Sequence, residues 1–96
     1  MSIHSTHIEV TALEPGRYGV DLRERETRTS HKVAVSADFL DDLGLTDVDP
    51  VRVVHESFAF LLDREPASAI LHDFPIEQIA RYFPDYYDEL RARLGR

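Results

Sequence analysis

Five histidines, His4, His7, His31, His55 and His72, are the side chains best suited to chemistry near neutral pH. Imidazole titrates there and binds metals through either ring nitrogen. Their spacing does not assemble a site. His55-Glu56 opens like a zincin helix, but the second histidine would have to stand at 59, where the chain has Ala59. His31 falls on the apolar face of an alternating run, where a hydrogen-bonded core histidine is the commoner state. The acids Asp41, Asp42, Asp47 and Asp49 offer no register with a glycine at position six and a glutamate at position twelve, so they do not make a calcium loop. They read better as helix caps and solvated charges. Ser57 and Ser68 lie outside any Gly-x-Ser-x-Gly elbow, and Gly16, Gly19, Gly44 and Gly95 form no phosphate-cradling loop. With no cysteine in the chain, thiolate catalysis, disulfides and Cys-ligated zinc are excluded. No catalytic, cofactor-binding or metal-binding residue is assigned.

A second group of residues offers contact instead of catalysis. Arg64 and Glu65 follow the apolar run Phe58 to Leu62 and precede Pro66. The bland account is a helix end at which Arg64 meets the last carbonyls and Glu65 pairs locally. The other account is a charged feature framed by aromatic side chains. Phe74, Tyr82, Phe83, Tyr86 and Tyr87 crowd the C-terminal part, and Tyr82, Tyr86 and Tyr87 cannot all point inward. Exposed tyrosine beside charge is interface chemistry. The candidate interaction surface is therefore Arg64, Glu65, Tyr82, Tyr86 and Tyr87.

The elements that must position these residues are legible as an α+β domain. Ile8, Val10 and Ala12 alternate with Glu9 and Thr11; Tyr18, Val20 and Leu22 alternate with Gly19 and Asp21; His31, Val33 and Val35 alternate with Lys32 and Ala34. Period two with turn chemistry at Pro15-Gly16 predicts a three-stranded antiparallel meander over about residues 7–35. Such a meander cannot shield its apolar face alone. Four or five short helices are expected to cover it, over about 36–44, 50–64, 67–73, 75–82 and 84–94. Ser36 and Asp49-Pro50 are helix starts, and Gly44 is a stop. The 50–64 helix is apolar nearly all round toward its C-terminal end, so it is expected between the sheet and the later helices. The two Phe-Pro steps, Phe74-Pro75 and Phe83-Pro84, each place proline where it can open a helix. Residues 1–6 are expected as a flexible tail and 7–96 as one domain.

Composition narrows the function classes. The chain has 96 residues, with 18 acidic and 11 basic side chains and a net charge of −7. Residues 1–48 and 49–96 carry −4 and −3, so neither half is a basic arm and nucleic acid is not an expected partner. The first residues lack a basic flank and an apolar core, so no signal peptide is expected. No apolar run approaches the roughly 18–20 residues that span a bilayer, so no membrane role is expected and the cytoplasm is the simplest location.

Glu56-Ser57-Phe58-Ala59-Phe60-Leu61-Leu62-Asp63-Arg64-Glu65-Pro66, followed by Ile70-Leu71, Phe74, Ile79 and Tyr82-Phe83-Pro84, resembles a segment of a group of short uncharacterised bacterial proteins. In that group Ser-Phe-x-Phe-Leu-Leu-x-Arg-Glu-Pro precedes Ile-Leu and a terminal Tyr-Phe-Pro. The resemblance covers a third of the chain strongly; it implies a shared fold and carries over no catalytic residue. The function expected is a small acidic, non-catalytic protein-interaction or regulatory module, with a protein partner or a second copy as its ligand. The alternative is a small enzyme or a ligand or metal binder using the histidines and nearby carboxylates.

Overall fold

The meander forms as its alternation dictates. In a computed structural model that describes residues 6–96, β1 (His7–Glu14), β2 (Arg17–Glu24) and β3 (Thr27–Ala34) pair antiparallel in sequence order. The expected tail at 1–6 lies, Thr6 apart, outside the described residues. Gly16 takes φ +80° in the β1–β2 turn, and a Cβ there would stand 3.2 Å from the Val35 carbonyl oxygen. The β2–β3 loop is only Arg25-Glu26, with Arg25 at φ +58°, the positive φ that tight hairpins demand. Tyr18, Val20, Leu22, His31 and Val33 face inward and are buried. On the open face Leu13 lies against the flat spot left by Gly19.

The helices cover the inner face. α1 (Ala37–Asp42) starts where Ser36 Oγ accepts from the Phe39 amide at 3.1 Å. It stops before Gly44, whose φ of +69° suits the position after a helix C-cap. α2 (Pro50–Leu62) is capped by Asp49, whose carboxylate accepts from the Val51 amide at 2.9 Å. α2 is buried on two sides, as its sequence predicts. Phe58 points to the sheet, 5.6 Å from the His31 ring and 5.9 Å from Phe74. Phe60 points away, 5.3 Å from Tyr86 and 5.8 Å from Phe83. α4 (Tyr86–Arg93) closes that second side. Arg93 pins it to α2 through Asp63 at 2.5 Å and Glu56 at 3.9 Å, and reaches Glu89 within α4 at 3.9 Å.

The segment after α2 departs from expectation. Residues 67–73 do not make a helix. Ala67–Ala69 form one 3-10 turn, and Asp73–Pro75 add a fourth strand, β4, parallel to β3. The reason lies in the free edge of β3. The Lys32 amide donates to the His72 carbonyl at 2.7 Å, and the Ile76 amide donates to the Ala34 carbonyl at 2.9 Å. Pro75 also biases Phe74 to extended backbone. The first Phe-Pro step thus closes a strand instead of opening a helix. The next helix, α3 (Gln78–Tyr82), starts three residues later than predicted, and α4 begins at Tyr86, two residues after Pro84. The sheet is mixed, with order β1-β2-β3-β4.

The α2–α4 contact contains a buried polar pair. Ser57 Oγ donates to the Val53 carbonyl at 2.8 Å, so at 2.6 Å from Tyr86 it accepts the phenol proton. Both residues are fully buried, and burial pushes the Tyr86 phenol far above its ordinary pKa of 10. Replacing Ser57 by Ala strands a buried O–H donor, at a cost of about 1–3 kcal/mol. Tyr86→Phe leaves Ser57 bonded to Val53 and costs about 0.5–1.5 kcal/mol. Urea denaturation should therefore rank Ser57→Ala as the more damaging, with the double variant less damaged than Ser57→Ala alone. The reverse order would contradict this proton assignment.

Candidate functional site

α2 ends at Leu62 because Pro66 forbids its continuation, and the chain must still reach the free edge of β3. The detour leaves a gap. Between the end of α2, the 3-10 turn, β4 and the short α3 runs an open groove of about 460 Å³. Its floor is apolar: Leu61, Ile70, Phe74 and Ile79, all buried. Leu71, 46% exposed, and Tyr82, 61% exposed, also line it, together with Glu65 and Gln78. Of the four large exposed hydrophobic side chains among the described residues, two line this one depression.

Glu65 gives the groove a charge. Among the described residues it makes no ion pair. Partial burial pushes its carboxyl up from the ordinary value. The neighbouring charges are neutralised within the chain. Arg64 grips Asp85 with two bonds, at 3.1 and 2.6 Å, and lies 4.3 Å over the Phe60 ring. That guanidinium holds the Asp85 carboxyl below the usual carboxylate range.

The five residues proposed from sequence therefore separate. Glu65 and Tyr82 meet at the groove. Arg64 is engaged in joining α2 to the start of α4. Tyr86 is corrected: it is fully buried, because its ring fills the space between Phe39 and Phe60 and its hydroxyl has Ser57. Tyr87 is 36% exposed and packs at 6.0 Å against Phe39, away from the groove. Leu71, Phe74 and Gln78 are groove residues that sequence reasoning missed. Leu71 falls in the 67–73 segment expected as a helix; the extended backbone there turns it and Ile70 to opposite sides.

The histidines converge in part. His31 and His72 stack with centroids 5.2 Å apart. His31 Nδ1 donates to the Leu71 carbonyl at 2.6 Å, which makes Nε2 the acceptor from Thr29 Oγ1 at 2.8 Å. Both nitrogens are used, so His31 has none left for a ligand. His55 is 3.7 Å from Glu56 on α2. Among the described residues no group of three or more histidines and carboxylates could hold a metal ion, and no helix is long and apolar enough to cross a membrane. No family model, no curated protein and no solved structure matches this chain.

His31 also makes the groove wall pH-sensitive, since it holds the Leu71 carbonyl. Burial is the main cause that lowers its pKa below 6.5, with the stacked His72 acting in the same direction. The unfolded chain takes up a proton on His31 as pH falls through about 6.5, while the folded chain resists it. Stability is thus retained above that pH and lost below it. The denaturation midpoint should fall between about pH 7.5 and 5.5, and should fall less in His31→Gln. Equal slopes in the two proteins would contradict this role.

Proposed function

We propose that the chain is a protein-interaction module whose groove receives an apolar segment carrying a lysine or arginine. The observation that carries this reading is a partly buried carboxylate, Glu65, without an ion pair among the described residues, at an apolar depression flanked by exposed Leu71 and Tyr82. A carboxylate that has lost water without gaining a cation is stabilised by an incoming cation. Tyr82 supplies the large amphipathic contact that dominates interfaces. The acidic net charge of −7 favours approach of a basic segment. The reading as an enzyme or metal binder has less support, because His31 has both nitrogens occupied. The resemblance of residues 56–84 to a group of bacterial proteins would extend the fold to that group, and no activity with it.

Selection of peptides from a random displayed library on the intact chain, counter-selected on Tyr82→Asp, tests the proposal. Enriched peptides should pair large apolar residues with Arg or Lys. Tyr82→Ala should weaken their binding roughly tenfold, about 1.4 kcal/mol. Glu65→Gln should weaken them by a similar factor, and should not affect peptides whose basic residue is replaced by Gln. Enriched peptides without a basic residue, or binding indifferent to both variants, would overturn it.

A further inference from the structure

The sheet has two edges, and they are built differently. β4 is three residues long and ends in Pro75, which has no N–H to offer. β1 is eight residues long, with no proline and no lysine among them. Its core-side positions, Ile8, Val10 and Ala12, carry no inward charge. Edges of this length are normally blunted by such devices or by a bulge; β1 has one register irregularity, between Ala12 and Glu14 at its far end, which leaves His7–Ala12 as a regular ladder. Burial across the inner face is also uneven. On β2, Tyr18, Val20 and Leu22 are buried, whereas their β1 neighbours Ile8 and Val10 are only half-buried and Ala12 is exposed.

The direction of the β1 backbone groups that have no strand partner among the described residues follows from the hairpin. A two-residue loop makes Glu24 and Thr27 a hydrogen-bonded pair, and such pairs alternate along an antiparallel ladder. Leu22, Val20 and Tyr18 therefore bond to β3, while Arg23, Asp21 and Gly19 bond to His7, Glu9 and Thr11 of β1. The N–H and C=O groups of Ile8, Val10 and Ala12 point outward, away from the sheet.

We infer that β1 pairs antiparallel with β1 of a second copy, about a two-fold axis through Val10, joining two four-stranded sheets edge to edge. The register follows from the residues. This axis sets Val10 against Val10 and Ile8 against Ala12, all on the core side, and Glu9 against uncharged Thr11 on the open side. An axis through Glu9 would oppose two carboxylates, and one through Thr11 would set Ile8 against Glu14. A one-residue slip would turn the apolar set to the wrong face. For a chain of net charge −7, Val10 to Leu13 is an uncharged stretch on which two copies can approach. This surface is separate from the groove.

The absence of native cysteine gives a direct test. Residues facing each other in a hydrogen-bonded antiparallel pair have Cα atoms about 5.5 Å apart, within reach of a short bifunctional thiol reagent. Treated with such a reagent, Val10→Cys should cross-link nearly completely. Ala12→Cys should not, because the two copies' residues 12 would lie about 14 Å apart. The unmodified chain should sediment at twice its 11.0 kDa mass. Val10→Pro, which removes an outward N–H, should sediment as a monomer with an unchanged circular dichroism spectrum. A wild-type monomer at roughly 100 times a micromolar dissociation constant, equal cross-linking of both cysteine variants, or a folded Val10→Pro that remains dimeric would overturn the inference. If Val10→Pro fails to fold, the two cysteine variants still decide the register.

Discussion

A three-stranded meander with one apolar face has to be covered, and one helix must do most of the covering. α2 meets that constraint by sending adjacent aromatic side chains in two directions. Phe58 goes down to His31 and Phe74, and Phe60 goes across to Tyr86 and Phe83. Each such burial is worth about 1.5–3 kcal/mol, and each fixes a different part of the chain. Phe58 fixes where the sheet and β4 lie relative to α2. Phe60 fixes α4, and with it the Arg64–Asp85 and Arg93–Asp63 pairs that bracket its ring. Those exposed pairs orient more than they stabilise.

The groove is a consequence of the same arrangement. α2 cannot extend past Pro66, and the segment that follows is committed to the free edge of β3 by two backbone hydrogen bonds and by His31. α3, with five residues, is too short to roof what lies between. Leu61, Ile70 and Phe74 thus form the floor of an open depression while staying almost fully buried themselves. Glu65 falls at this opening because it is the last residue before the proline stop. Fold and candidate function meet at that residue.

What could be read from the sequence was what local chemistry decides. Alternation gave the three strands; Ser36, Gly44 and Asp49-Pro50 marked helix ends that the backbone uses; the all-round apolarity of α2 announced its two-sided burial. What could not be read was decided by contacts far along the chain. A three-residue strand has no detectable period, and Phe74-Pro75 is as good a helix opening as a strand ending until the open amides of β3 are considered. Adjacent tyrosines cannot be told apart by spacing. Ser57, 29 residues earlier, selects Tyr86 for the interior. For the same reason Arg64 and Glu65, neighbours in sequence, have different fates: one finds Asp85 and the other finds no cation among the described residues.

Of the histidines, His31 is the one the fold uses as a strut, its ring held between Thr29 and the Leu71 carbonyl. The distinctive electrostatic feature is instead the Glu65 carboxylate, which has no ion pair among the described residues and lies at an apolar surface. Titration of the Glu65 side-chain carbonyl by carbon NMR measures that feature directly. The structure predicts a midpoint above the ordinary 4.5 in the free chain, because burial without a cation disfavours the ionised form. A midpoint at or below 4.5 would mean that Glu65 is solvated or paired, and would contradict the groove as a site awaiting a basic partner.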